Sequence, residues 1–357
     1  MADRESVNIT EDEAALYDRQ IRLWGLDAQK RLRAAAVLLV GVGGIGAEVA
    51  KNIVLAGVNS LLLLDHRKVT EVDFCSQFLL TRDDIGKNRA QSSLQRTRQL
   101  NPMVSVSYDT ADVADKKKEF FKQFDVVCAT GCSKQQLLRI SKICHEEKIK
   151  FFAGDVHGYY GVCFADLQEH VYVEEKVIHT AAPRMPASDE PVVKKKKTEA
   201  GTTTVQMRML FTELADSFNI DWSCGDNNKF LKKTPAAFFI YTVLLNFRDH
   251  YGRDPNPSQA PQDKELLLEL RNEVLNNIHV DSSIINKVFV DHCFGELSPV
   301  CAITGGVLGQ EIIKAVSKRD EPHNNFFFYD GVEGSGLVDH ISPSHNVTKE
   351  ACLSNAV

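Results

Sequence analysis

Four glycines close together, Gly41, Gly43, Gly44 and Gly46, with an acid further along at Asp65, are the positions most suited to chemistry in this sequence. Glycines so spaced let a phosphate approach the free N–H groups at the start of a helix, where the dipole favours an anion. An acid about 20 residues on, at the end of a strand, is placed to accept a ribose hydroxyl. The chemistry indicated is nucleotide binding. The same glycines would also serve close packing of a helix on a sheet with no ligand, and the spacing does not separate the two readings.

The elements that must hold these residues are legible on either side. Ala36 to Val40 is an apolar run of strand length, Ile45, Val49 and Ile53 recur at i+4 behind the glycines, Gly57 falls where a helix C-cap belongs, and Leu61 to Leu64 form a second apolar run. This is a βαβ mononucleotide unit, its strands apolar throughout as for a parallel sheet covered on both faces. Strand and helix keep alternating. Residues 84–90 open a polar helix stopped by Asn101-Pro102, Val104 to Tyr108 and Asp125 to Ala129 read as strands, Ser133 caps a helix to His145, and Lys150 to Ala153 is a further strand. The expected class is α/β, a Rossmann-like, doubly wound, mostly parallel sheet.

Prolines 183, 186 and 191 and the run Lys194 to Lys197 break the pattern, so residues 175–204 are expected to be a flexible insertion. The lysines suit either a nuclear import signal or a solubilising loop. Residues 11–174 would then be the Rossmann-like half and 205–341 a helical and C-terminal part of the same fold, between loose ends at 1–10 and 342–357. In the second part, Thr234-Pro235 reads as an N-cap with proline at N1, and Lys264 to Ile278 as an amphipathic helix. Ser298-Pro299 opens a helix to Val316 that is apolar nearly all round, with Gly305, Gly306 and Gly309 for close approach, and Asn325 to Gly331 is a strand ending in a turn.

The chain of 357 residues, 43% hydrophobic and 25% charged, carries a formal charge of −6, which argues against general nucleic-acid binding. An apolar run of about 18 residues and a signal-peptide pattern are both lacking, so an intracellular protein with reduced thiols is expected from its nine scattered cysteines. None makes a Cys-x-x-Cys pair that would suit zinc. Ahead of the glycine unit, Thr10 and Glu13 form a capping box before a helix with Ala14, Tyr17, Ile21 and Trp24 on one face, followed by a short helix from Asp27 to Arg33. Periodicity alone makes Arg19 and Arg22 part of a solvated face.

Tyr17-Asp-Arg-Gln-Ile-Arg, the Gly41-x-Gly-Gly-x-Gly turn, Asp65, Gln77-Phe-Leu, the helix Gly305-Gly-Val-Leu-Gly-Gln-Glu-Ile-Ile-Lys and Asn325-Phe-Phe-Phe-Tyr-Asp-Gly together resemble the ThiF/MoeB-like adenylation fold of ubiquitin-like activating enzymes, over about Tyr17 to Gly331. Members pair two such folds, and the resemblance is to the smaller, non-adenylating half of the SUMO-activating type. It implies a heterodimer with the larger, cysteine-bearing subunit, which binds ATP and magnesium, adenylates SUMO and takes it as a thioester. Residence would be nuclear and also cytoplasmic. The NEDD8-type pairing is the alternative within the family, and an NAD(P)-dependent oxidoreductase the remote one outside it.

Departures from the family pattern sharpen the expectation. Where active halves carry a ribose-binding acid, this chain has Arg67, and the positions of a phosphate-holding amide and arginine are Asp73 and Ser76. Arg89 replaces a lysine, Cys132 stands where an aspartate would hold magnesium, and the Thr-Cys-Pro of a thioester cysteine is missing. No cofactor is expected in this chain, which leaves Gly41, Gly43, Gly44, Gly46 and Asp65 vestigial. Arg19, whose motif is whole, is expected to reach the phosphates of the partner's ATP in trans, and Arg22 to be structural or solvated.

Overall fold

The computed structural model describes residues 9–178, 201–225, 227–343 and 348–352. Three helices come first: α1 (Glu11–Leu16), α2 (Asp18–Trp24) and α3 (Leu26–Ala34). The capping box of Thr10 and Glu13 is present, but the helix expected to run on to Trp24 is interrupted at Tyr17. Then β1 (Ala36–Val40), α4 (Gly44–Ala56) and β2 (Ser60–Leu64) make the βαβ unit, with Gly57 left-handed at φ 81° as the C-cap of α4. They are followed by α5 (Arg89–Leu100), β3 (Ser105–Asp109), α6 (Lys118–Phe121), β4 (Val126–Thr130), α7 (Lys134–Glu146), β5 (Lys150–His157) and β6 (Tyr160–Asp166). The remainder is β7 (Glu169–Ile178), β8 (Gly201–Leu210), α8 (Leu214–Phe218), α9 (Asn227–Leu231), α10 (Ala236–Tyr251), α11 (Ala260–Asn277), α12 (Ser298–Ser317), β9 (Phe326–Asp330), β10 (Ser335–Asp339) and β11 (Lys349–Ala351).

The main sheet has eight strands in the order β10-β9-β6-β5-β4-β1-β2-β3, parallel from β5 to β3 and antiparallel beyond β5. Its β1 strand shows why apolar residues were needed at every position. Leu38 and Val40 enter the core shared with α7, α10 and α11, while Val37 and Leu39 enter the one shared with α4 and α12. Burial of Ile45, Val49 and Ile53 fixes α4 to the sheet, each side chain contributing roughly 1.5–3 kcal/mol. The chain leaves β1 in opposite directions toward β2 and β4, and at such a switch point a crevice opens beyond the carboxyl ends of the strands.

Several expectations need correction. Residues 175–178 and 201–204, assigned to the insertion, continue β7 and β8 as one antiparallel hairpin that pairs Glu175 with Thr204 and Ile178 with Gly201. The lysine run lies outside the described residues, as do 1–8 of the N-terminal segment. Within the tail expected to be loose, Lys349–Ala351 pairs with β8. The N-cap of α10 is Pro235, and the Thr234 hydroxyl instead donates to Phe230 O at 3.1 Å. Helix α12 is long and apolar enough to cross a membrane by length and composition, but 67% of that stretch is buried inside the protein. It is not buried all round, since Ile303 is 41% exposed.

Candidate functional site

At the switch point the ends of β1, β2, β4 and β5 surround two adjoining cavities of about 360 and 230 Å³, which share Arg67, Thr130, Gly131, Arg248 and Asp254 as walls. All the positions singled out in the glycine unit and in Arg67, Asp73, Ser76, Arg89 and Cys132 meet here or beside it. Arg19 does not.

Asp65 follows β2 and is buried, and its carboxylate is fully engaged. One oxygen accepts the Val42 N–H at 2.8 Å and the other the Arg67 N–H at 2.9 Å. The Arg67 guanidinium then folds back over the same carboxylate, Nε to Oδ1 at 2.9 Å and Nη2 to Oδ2 at 3.0 Å, and sends Nη1 to Gly131 O at 3.3 Å. Arg89 adds its charge at 3.5 Å from Asp65 and bonds Asp73 at 2.8 Å. Burial pushes the Asp65 carboxyl up, but Arg67, Arg89 and the Val42 N–H outweigh it and hold the group at about 2. With both oxygens spent on arginine and backbone, no acceptor remains for a ribose hydroxyl.

The amino end of α4 is also filled. Glu296, in the segment before α12, accepts the Gly44 N–H at 2.7 Å and the Ile45 N–H beside it, and the Ser76 hydroxyl lies 3.4 Å from the same carboxylate. Burial outweighs those N–H groups, Arg67 and Arg89 and leaves the Glu296 carboxyl above its usual range. The N–H groups that a glycine turn would offer to a phosphate are thus taken by a carboxyl group of the same chain. The glycines serve that packing. A Cβ on Gly43 would lie 2.9 Å from Glu296 Oε2, and one on Gly44 would lie 2.2 Å from Ser76 Oγ. Gly46 abuts Gly41 O, and Gly41 takes φ +84° against Thr130.

Cys132 is buried, and burial lifts its thiol to about 12 although Arg67 pulls the other way. A neutral sulfur is a poor ligand for magnesium, which takes hard oxygens. Around it runs a network that sequence reasoning missed. Arg248 on α10 grips Asp155 on β5 with Nη2 to Oδ1 at 3.0 Å and Nη1 to Oδ2 at 3.2 Å, and bonds Asp254 through Nε at 2.8 Å and Cys132 O through Nη1 at 2.6 Å. Tyr241 adds a hydroxyl to Asp155 at 3.2 Å. Asp155 lies in a glycine-rich stretch that could have drawn notice. Glu296 and Arg248 come from helix-flanking or helical sequence with no local signature.

Arg19 sits at the opposite end of α4. Gln20 of the same helix donates to Leu55 O at 3.0 Å, so α2 is fixed to the carboxyl end of α4. Thirteen residues of helix, about 20 Å at 1.5 Å per residue, separate that point from the glycine turn. Arg19 is exposed and has no ion pair or side-chain hydrogen bond among the described residues. Arg22, by contrast, is held by Asp18 at 3.1 Å. The positions Leu16, Leu23 and Leu26, spaced with Arg19 at intervals of three and four, are 58%, 75% and 45% exposed.

Comparison with known proteins places this arrangement. The ThiF family model matches residues 17–352. The SUMO-activating enzyme subunit 1 of Xenopus laevis is 52% identical over 340 residues, 95% of this chain and 98% of the relative. Those of Danio rerio, at 51% over 342 residues, and Homo sapiens, at 49% over 336, cover 95% and 94% of this chain and 98% and 97% of themselves. Among solved structures, the crystal structure of E. coli MccB with succinimide aligns with a TM-score of 0.51 over 92% of this chain and 72% of that one. At 14% identity that likeness shows the fold alone. The chain belongs to the ThiF family, in the branch of the SUMO-activating enzyme subunit 1 proteins.

Proposed function

We propose that the chain is the non-adenylating subunit of a heterodimeric SUMO-activating enzyme and that it lends Arg19 in trans to the ATP site of a larger, cysteine-bearing partner. The observation that carries this is the contrast between the two ends of α4. At one end the chain's own side chains, Arg67 and Glu296, occupy the places of ribose acceptor contact and phosphate. At the other end Arg19 is unpaired among the described residues and too far away to serve its own glycine turn.

Magnesium and ATP do not fit this chain's residues. Asp65 has no free oxygen, the first amides of α4 are taken, and Cys132 offers a protonated thiol. In adenylation a carboxylate attacks the α-phosphorus of ATP and negative charge grows on departing pyrophosphate. A guanidinium entering from a second subunit supplies donors where that charge develops, without reorganisation at the moment of reaction.

The test is ATP–pyrophosphate exchange. The chain alone should give none, and the pair with SUMO should give robust exchange. Arg19→Ala should leave the pair assembled and slow exchange by about 10²–10³-fold, the cost of one such donor. Exchange by the isolated chain would overturn the first part. An unchanged rate in Arg19→Ala would reduce the subunit to a scaffold. Nuclear as well as cytoplasmic residence belongs to the same reading. Its support is the run Lys194 to Lys197, and imaging of a variant lacking that run tests it.

A further inference from the structure

The carboxyl end of α4 is closed by three side-chain amides in succession. Asn101 donates to Val54 O at 3.0 Å, Gln20 to Leu55 O at 3.0 Å and Gln29 to Ala56 O at 3.1 Å. The last carbonyls of a helix lack intrahelical partners and commonly turn to water. Here each takes an N–H from a different element: the end of α5, then α2, then α3. Two of the amides are held in turn, Gln29 by the Trp24 indole N–H at 3.0 Å and Asn101 through its bond to the Tyr17 hydroxyl at 2.9 Å. The Tyr17 ring lies where a Cβ on Gly57 would be, with Cζ at 2.5 Å from that point.

Tyr17, Gln20 and Trp24 recur at helical spacing; Tyr17 packs on Gly57 and Gln20 bonds Leu55 O at the end of α4, while Trp24 reaches α4 only through Gln29. Arg19 lies about 200° from Tyr17 at 100° per residue, so it points away from the clamp. The neighbours of Arg19 in the motif therefore anchor α2. The Gln20 bond lies near the surface, and its Oε1 is buried with no donor among the described residues, so a gain in stability is a weak account of this amide.

We propose that Gln20 and Asn101 are positioning residues for Arg19. By bonding consecutive carbonyls of α4 they fix the tilt and rotation of α2, and with them the point from which the guanidinium leaves the surface. The proposal rests on the reading that Arg19 acts in trans.

The experiment is a double-mutant cycle in the purified heterodimer, read by ATP–pyrophosphate exchange with SUMO. Gln20→Ala and Asn101→Ala should each lower kcat by about ten-fold, as a misplaced catalytic group does, with KM for SUMO unchanged. In the Arg19→Ala background neither should lower it further. Tyr17→Phe, which keeps the ring and removes the hydroxyl, should cost less than Asn101→Ala. Gln20 keeps the test sound if Asn101→Ala fails to fold. Equal losses with and without Arg19, or no loss at Gln20 while Arg19→Ala is slow, overturn the clamp. No loss in Arg19→Ala itself overturns the reading beneath it, a result read separately.

Discussion

A carboxylate bonded to the Gly44 N–H at 2.7 Å does for α4 what a bound phosphate does at other helix starts. Glu296 and Arg67 are in this sense the molecule's own ligands, one neutralising N–H groups and the other an acid. Removing Glu296 leaves part-buried donors with no acceptor, which costs about 1–3 kcal/mol. Glu296→Ala should therefore lower the thermal midpoint of the isolated chain, and millimolar inorganic phosphate should restore part of it. A midpoint that phosphate does not move would show that the amides find another partner. The Arg67 substitution was legible because it falls at a fixed step after Asp65. Glu296 was not, because it lies 252 residues beyond the amide it bonds and only the folded chain brings the two together.

Helices α4 and α12 cross where glycines replace side chains. A Cβ on Gly305 would stand 2.6 Å from Glu48 Cβ and 3.2 Å from Ile45 O, and one on Gly309 2.8 Å from Asn52 Cβ, whereas a Cβ on Gly306 meets nothing within 4 Å. Gly305→Ala should destabilise by about 1–3 kcal/mol through overpacking. Gly306→Ala should be neutral or stabilise by up to about 1 kcal/mol, since alanine suits a helix better than glycine. Chemical denaturation of both variants reads the difference, and equal midpoints would mean that α12 moves freely to make room. All three glycines were expected to permit close approach, and two do. Periodicity and caps served well for α4, α7 and the central strands because one residue pattern fixes each locally. The hairpin of β7 and β8 was lost for the opposite reason: its strands are joined through a proline- and lysine-rich stretch whose composition masked the pairing. The three residues of β11 carry no periodic signal at all.

Across the molecule, β1, β2, β4, β5 and α10 are joined at one end through Asp65, Asp155 and their arginines, and this gives the fold a defined weakness in acid. Asp65 falls from 3.8 to about 2: burial opposes the fall, and Arg67 and Arg89 drive it. A carboxyl lowered on folding stabilises the native state fully above its unfolded value and loses that contribution as pH drops toward the folded one. Asp65, with a side chain 1% exposed, accounts for about 2 kcal/mol lost between roughly pH 4 and 2. Asp254 falls in the same direction under Arg248, but its side chain is 47% exposed and water screens its share. Acid titration followed by circular dichroism should show the wild type holding to lower pH than Arg67→Ala, and coincident curves would remove Asp65 from the acid transition. The doubly wound architecture was readable from alternation alone, while the acid-arginine network was not, since its members are scattered from Asp65 to Asp254. Helix α4 ends with its first amides on Glu296 and its last three carbonyls on Asn101, Gln20 and Gln29. A rod spoken for at both tips by its own chain has little room to shift on its own. Under the proposed pairing, any opening or closing as substrates come and go would originate in the partner.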